Sequence, residues 1–255
     1  MLRRLAPCLF VAAFALAACT GAPAISDPEQ IITQGVEATS ALNSFHMALA
    51  VDGTFSVPEG GGSFALDGTT LDGAFDLEAK AAQLSFAVPA FLGLTGDVIV
   101  IGTDTYVRTS MTGETWSKSA TSSGDPMSEA MDPDAALQQV RDFLDKEGVQ
   151  AQKLDDVECG ERTCYAVQLT IPSALLADAG DQVDMDPSTV LGEALVLNLR
   201  FDREKLWLTE VSTAVESESV GSFSATLSFS GFDEAVTVSP PPADQVTEGE
   251  LPLSF

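Results

Sequence analysis

Few side chains in this sequence could carry chemistry. His46 is the only histidine, so Ser/His/Asp and Cys/His catalysis and multi-histidine metal sites have almost nothing to build on. Of the four cysteines, Cys159 and Cys164 stand together in Glu-Cys-Gly-Glu-Arg-Thr-Cys-Tyr. The chemical alternatives to a structural disulfide there are a redox dithiol and a metal site. The spacing is not Cys-x-x-Cys, and no further Cys or His completes a zinc set. Asp181, Asp184 and Asp186 offer oxygen ligands to a hard cation such as calcium. Pro187 follows directly, and the Gly-to-Glu pattern of a calcium loop is missing. With 38 acidic residues in the chain, the reading is a solvated loop and no metal. There is no Gly-x-Ser-x-Gly elbow, phosphate-binding loop or dinucleotide fingerprint, and nothing singles out a carboxylate pair for glycosidic chemistry. The expectation is a protein that is not an enzyme and takes no cofactor.

Charge narrows the partners. Twelve Lys and Arg against 38 Asp and Glu give a net charge of −26 over 255 residues. Phosphate-driven nucleic-acid binding needs clustered cations, so no nucleic acid is expected. A basic membrane-surface patch is excluded on the same ground. The hydrophobic share of 45% excludes disorder for most of the chain.

The membrane enters through the N-terminus. Arg3 and Arg4 precede a short apolar stretch from Leu9 to Leu16, then Ala17-Ala18-Cys19. Charge, apolar run and small residues in that order read as a secretion signal over residues 1–18. The end resembles the bacterial lipobox, in which cleavage precedes a cysteine that is then acylated, for example with palmitate. An ordinary signal peptide whose Ala-rich end precedes a cysteine fits the same residues. On the lipobox reading Cys19 anchors the chain to the cell membrane on its extracytoplasmic side. Residues 19–26 are then a linker reaching about 25 Å at most. An even cysteine pair in an exported protein reads as a disulfide, Cys159 to Cys164, across a four-residue loop between two strands.

Periodicity gives the elements that must position everything else. Asp27-Pro28 is an N-cap followed by proline at the first helical position, and Ile31, Ile32, Val36 and Leu42 mark one face of the helix. Phe45, Met47, Leu49 and Val51 alternate with His46, Ala48, Ala50 and Asp52, which is a strand with one buried face and His46 toward solvent. Short strands follow at 63–67, 73–78, 83–88, 97–101 and 105–109, separated by Asp-Gly and Gly-rich turns. Asp132-Pro133 repeats the helix-start device, with Leu137, Val140, Phe143 and Leu144 as its apolar face. The disulfide hairpin at 150–171 comes next. A short helix at 172–179 and another starting at Asp186-Pro187 follow. Strands at 195–201, 206–215 and 223–232 close the set. The domain spans 27–240, with an irregular Pro-rich tail at 241–255. The expected class is α+β: one large curved antiparallel sheet with helices packed on one face.

The order of these parts resembles the LppX/LprA/LprF/LprG family of bacterial lipoproteins and, more distantly, the LolA and LolB carriers. The residues that carry it are Ala41-Leu42-Asn43-Ser44-Phe45-His46, Asp104-Thr105-Tyr106-Val107-Arg108 with Trp116, and Asp132-Pro133. The strand continuing from Cys164-Tyr165 and Phe232-Asp233-Glu234-Ala235-Val236 complete the set. The resemblance implies a β half-barrel whose concave face, lidded by helices, encloses a hydrophobic cavity for acyl chains of a lipid or glycolipid. The function it implies is binding and carrying or presenting such a lipid in the cell envelope, as a monomer.

On that reading Met47, Leu49, Leu66, Phe75, Leu77, Phe86 and Val88 line the cavity, facing a helix that bears Leu137, Val140 and Leu144. Phe91, Leu92 and Leu94 sit in an apolar connection rich in Gly and Pro, which reads as a portal, a lid or a bilayer contact, or else as a loop tucked over a helix. A filled core is the rival reading, and would make the chain a surface interaction or sensor module for an envelope protein partner. Anchoring has a direct check. Cys19→Ala is expected to release the protein from the detergent phase and remove the acyl mass, or to leave the signal uncleaved. A variant that partitions like the parent, with no acyl mass on the parent, contradicts the lipoprotein reading.

Overall fold

The computed structural model describes residues 24–56, 62–120, 133–176, 187–217 and 220–248, the side chains of 120, 133–137, 139, 187 and 189 excepted. Cys19, Asp132 and the Asp181, Asp184 and Asp186 cluster lie outside the described residues. Helix α1 is Pro28–Ser40. Its start follows from the sequence: the Asp27 carboxylate accepts from the N–H groups of Glu29 at 3.0 Å and Gln30 at 3.4 Å, and Pro28 has no N–H to leave unpaired. Helix α2 is Pro133–Leu144 and α3 is Pro187–Leu191. The helix expected at 172–179 is, within the described residues, a 3-10 turn at Ser173–Leu176.

The strands are β1 Ser44–Ser56, β2 Ser63–Ala65, β3 Thr69–Asp76, β4 Ala81–Val88, β5 Leu94–Ile101, β6 Asp104–Thr109 and β7 Trp116–Ala120. After α2 come β8 Gln150–Lys153, β9 Val157–Cys159, β10 Arg162–Pro172, β11 Ala194–Asp202, β12 Leu208–Ser217, β13 Gly221–Ser230 and β14 Val246–Glu248. They form one curved sheet in the order β14-β7-β6-β5-β4-β3-β1-β13-β12-β11-β10-β8, with β2 on β1 and β9 on β10. Its architecture is that of a half-barrel. The meander β3 to β7 and the closing strands β10 to β13 meet at the centre, where β1 pairs with both β3 and β13.

Two features depart from the expectation. The sheet is not wholly antiparallel, because β14 runs parallel to β7. The tail is also not irregular throughout. Prolines 240–242 cannot donate to a ladder, which made the whole tail read as a break. Beyond them Val246–Glu248 pairs the β7 edge, and the Thr247 hydroxyl donates to the Trp116 carbonyl at 3.2 Å. Val238 and Val246 cover Ile99, Tyr106 and Trp116, a small core on the sheet's outer side.

Register divides the sheet into two chemically different faces. On one, Phe45, Met47 and Leu49 stand level with Phe75, Gly73 and Leu71 of β3 and, for the last two, with Phe229 and Leu227 of β13. The row continues through Leu84 and Phe86 to Val98 on one side. On the other it runs through Val211 and Leu199 to Val167. Along β1, β3 to β7 and β10 to β13 this face carries no charged side chain. The opposite face holds His46, Asp52, Asp72, Asp97, Arg108, Arg200 and Glu210, and His46 is exposed there.

The helices occupy one end of the apolar face. Ile31 and Ile32 are buried against Tyr165, Val167, Leu169, Ile171, Leu199 and Phe201, and Val140, Phe143 and Leu144 of α2 pack on the same cluster. The adjoining turn is held by Asp202, which is 1% exposed. Its carboxylate accepts from the N–H groups of Glu204 at 2.8 Å and Lys205 at 2.7 Å and from Arg162 at 3.3 Å. The Cys159–Cys164 disulfide is formed, with Cα atoms 5.9 Å apart. Cys159 pairs with Arg162, so the turn is the two residues Gly160-Glu161, shorter than the four expected, with Gly160 at φ +67°.

The α1 contact turns on Gly35. A Cβ there would lie inside the Phe201 ring, which is itself 1% exposed. Gly35→Ala gains about 1 kcal/mol of helix propensity and, with its Cβ driven against the buried Phe201 ring, loses about 2–3 kcal/mol to overpacking. A net destabilisation of about 1–2 kcal/mol is expected in a urea melt. An unchanged or raised midpoint would show that α1 is not seated on Phe201.

Candidate functional site

The apolar face beyond the helices is where the chain is least conventional. A second cluster there contains Phe75, Ala82, Leu84 and Val100, flanked by Phe45, Met47, Leu71 and Val98. All of these come from strands β1, β3, β4 and β5, with no helix residue among them. Phe45 stacks on Phe75 at 4.7 Å and meets Phe229 at 5.9 Å. Around this cluster Leu49, Val51, Phe86, Val88, Leu94, Phe223 and Leu227 are only half-buried. The result is a continuous, uncharged, partly open apolar surface running from the helix-covered end across the centre of the sheet.

The predicted residues fall on it unevenly. Met47, Leu49, Phe75 and Phe86 share the face by register. Val88 ends β4 on the same side and pairs with Leu94. Phe75 is 7% exposed, a packed residue of the cluster. Leu66 and Leu77 are not strand residues: they sit in the turns before and after β3, where their N–H groups donate to Gly53 and Asn43 carbonyls at 2.8 Å. Val140 and Leu144 do not face β1, β3 and β4 as expected; they cover the β10 and β11 cluster. The reason is that α2 packs along α1, and α1 is fixed over β10 by Ile31, Ile32 and Gly35. The Leu137 side chain lies outside the described residues.

Sequence reasoning missed Phe45, Leu71, Val98, Phe223, Leu227 and Phe229 as members of this surface. Their strand periodicity was legible, but the β1–β13 pairing that brings distant strands to one face is not a local signal. Two stretches that carried the family resemblance do meet. The Asn43 N–H donates to the Asp233 carboxylate at 2.8 Å, and the Ser44 hydroxyl donates to the Glu234 carbonyl at 2.6 Å.

At the far end of the strands Phe91 is 64% exposed and Leu92 fully exposed, in the β4–β5 turn, while Leu94 is half-buried at the start of β5. Phe64 of β2 stacks on Phe91 at 6.4 Å. The polar face carries an open cleft of about 530 Å³ near His46, Asp72, Gln83 and Ser85. A cleft of about 840 Å³ lies between Ile25, Gln34, Arg162, Tyr165, Asp202 and Arg203. Its cations are engaged: Arg162 with Asp202, and Arg203 with Asp156 at 3.1 Å and over the Tyr165 ring at 5.2 Å. Among the described residues no His, Cys, Asp and Glu group is placed to hold a metal ion. The Asp104 carboxylate, hydrogen-bonded to Lys118, raises the Lys118 ammonium above its ordinary pKa. That pair lies on the polar face, away from the Phe45–Phe75 cluster.

The lipoprotein LppX of Mycobacterium tuberculosis superposes with a TM-score of 0.51 at 20% identity, covering 83% of this chain and 97% of its own. LprF from Mycobacterium bovis gives 0.56 at 15% identity, covering 86% and 98%. The chain has the fold of LppX and LprF. No protein-family model and no curated protein matches the sequence. No described helix is long and apolar enough to cross a membrane.

The difference between the covered and open parts of the face can be measured. Val167 is fully buried under α1, whereas Leu49 is half-buried at the sheet centre. Val167→Trp is expected to destabilise by about 1–3 kcal/mol or more through overpacking. Leu49→Trp is expected to shift stability by less than about 0.5 kcal/mol. Equal losses at both sites, read from denaturant midpoints, would mean that Leu49 stands in a closed core.

Proposed function

We propose that this chain is a membrane-anchored lipoprotein that binds acyl chains of a lipid or glycolipid on the apolar face of its half-barrel and carries or presents them in the cell envelope. The observation that carries the reading is the uncharged face continuing past the helices over β1, β3, β4 and β13 with its side chains only half-buried. Contiguous, partly exposed apolar side chains of this kind support a binding surface. The fold it shares with the lipoprotein LppX supports the reading. Cys19 is the proposed acylation site, holding the module close to the extracytoplasmic side of the cell membrane. Met47, Leu49, Phe86 and Val88 are proposed to contact the acyl chain, with Phe91, Leu92 and Leu94 at the entrance.

The energetics suit a carrier. A 16-carbon chain in water costs on the order of 12 kcal/mol at about 0.8 kcal/mol per methylene. A site as apolar as the bilayer makes transfer nearly neutral, so loading and release are both accessible. No bond is made or broken, and no charged side chain on the face gives the step a pH dependence near neutrality. The Phe45–Phe75 stack favours a second reading, a module with a filled core that presents its surface to an envelope protein.

Uptake of a fluorescent fatty acid by the full mature chain, made without its acyl group, separates the two. The parent is expected to bind the probe with a blue-shifted emission that is unchanged between pH 6 and pH 8. Leu49→Trp is expected to reduce binding about tenfold or more at unchanged fold, by occupying the volume of the chain. Absence of probe binding by the parent would leave the interaction module standing.

A further inference from the structure

Three separate segments bring large apolar side chains to one end of the sheet. Register places Thr70, Ala87, Leu94 and Thr109 there. The β4–β5 turn raises Phe91 and Leu92, the β6–β7 turn raises Met111 at 71% exposed, and β2 contributes Phe64 stacked on Phe91. Only Leu154 elsewhere among the described residues is a large hydrophobic side chain this exposed. The two turns are tied together, with the Ser110 N–H donating to the Thr95 carbonyl at 2.8 Å. Leu92 adopts φ +55°, a left-handed backbone that a leucine takes only at a cost, and its side chain is held clear of the sheet.

The β4–β5 part of this end is uncharged. Residues 81–96 contain no Asp, Glu, Lys or Arg, in a chain with 38 acidic residues. The carboxylates in these segments are Asp67, which accepts from the Gly53 N–H at 2.9 Å, and Glu114. We infer that Phe64, Phe91, Leu92 and Met111 form a tip that inserts into the acyl region of a phospholipid bilayer. Separate convex turns, each showing apolar side chains, suit a fluid apolar phase that closes around them. The β4–β5 turn, which raises Phe91 and Leu92, carries no charge and enters without desolvating any. The acidic excess of the whole module opposes approach to anionic lipid, so the surface it fits is neutral.

The tip stands opposite the point where the chain enters the fold. The Ile25 N–H donates to the Tyr165 hydroxyl at the start of β10, at the other end of the strands. Eight residues of β4 alone separate the two ends by about 26 Å. The six Cα-to-Cα steps from Cys19 to Ile25 reach about 20 Å. An anchored copy therefore presents the tip away from its own anchor, toward a second lipid surface. That orientation rests on acylation of Cys19; insertion of the tip does not.

The test uses the full mature chain without its acyl group and vesicles of phosphatidylcholine. Leu92→Trp, at a fully exposed position, is expected to show a blue-shifted difference emission with vesicles and quenching by lipids brominated along the acyl chain. The double variant Phe91→Ser/Leu92→Ser is expected to lower vesicle partitioning about tenfold or more with an unchanged melting curve. Adding phosphatidylglycerol is expected to weaken partitioning at low salt. Absence of quenching at Leu92→Trp overturns the proposal, as does partitioning indifferent to the double variant. A Leu92-dependent dimer without quenching overturns it in favour of self-association. Quenching in a protein that takes up no fatty-acid probe upholds the tip while removing the carrier reading.

Discussion

The structure depends on one mismatch: a sheet with a single apolar face much wider than the helices that cover it. The path from β14 to β8 spans about 55 Å at the usual strand spacing. Helices α1 and α2, with 13 and 12 residues, are each about 20 Å long and 10 Å across. Placed side by side over β8 to β12 they cover one end and leave the centre to its own side chains. A soluble domain ordinarily closes such a face with more helices or a second sheet. Here the described residues close it only in part, and an apolar surface without charge is left for something else to meet.

What holds that surface in shape is distributed across the chain. Ile31, Ile32 and Gly35 seat α1 on Phe201, and Asp202 beside it satisfies the turn that leads into β12. β1 bridges the two halves of the sheet, and the Asn43–Asp233 and Ser44–Glu234 hydrogen bonds fasten its start to the segment after β13. On the polar side, Arg108 pairs with Asp97 at 2.6 Å and lies over Trp116 at 4.7 Å. The C-terminal valines cover the same ring. Both faces are thus braced at their edges, and among the described residues the central cluster of the apolar face is packed by strand side chains alone.

Much of this was legible in the residues. The Asp27-Pro28 cap, the alternation from Phe45 to Val51, the Asp-Gly turns and the disulfide pair are local signals, and each reports a local constraint. The order of elements carried the half-barrel. What the sequence could not supply was non-local: the pairing of β1 with β13, the seat of α2 on α1 and β10, and the return of residues 246–248 to the β7 edge. For that reason local periodicity does not join Phe229 and Leu227 to Met47 and Leu49, and it does not place Val140 and Leu144 over β10 and β11. Leu66 and Leu77 differ for a smaller reason: Leu77 continues the alternation of β3, and Leu66 that of β2, past the points where the strands end.

The central claim is that the open apolar face holds lipid. Native mass spectrometry of the mature chain, made without its own acyl group and purified from an envelope extract, tests this most directly. The account predicts a population carrying about one noncovalent adduct of acyl-lipid mass, released on activation as a free lipid. A single unliganded mass, still unliganded after incubation with the extracted lipids of the same envelope, would contradict it.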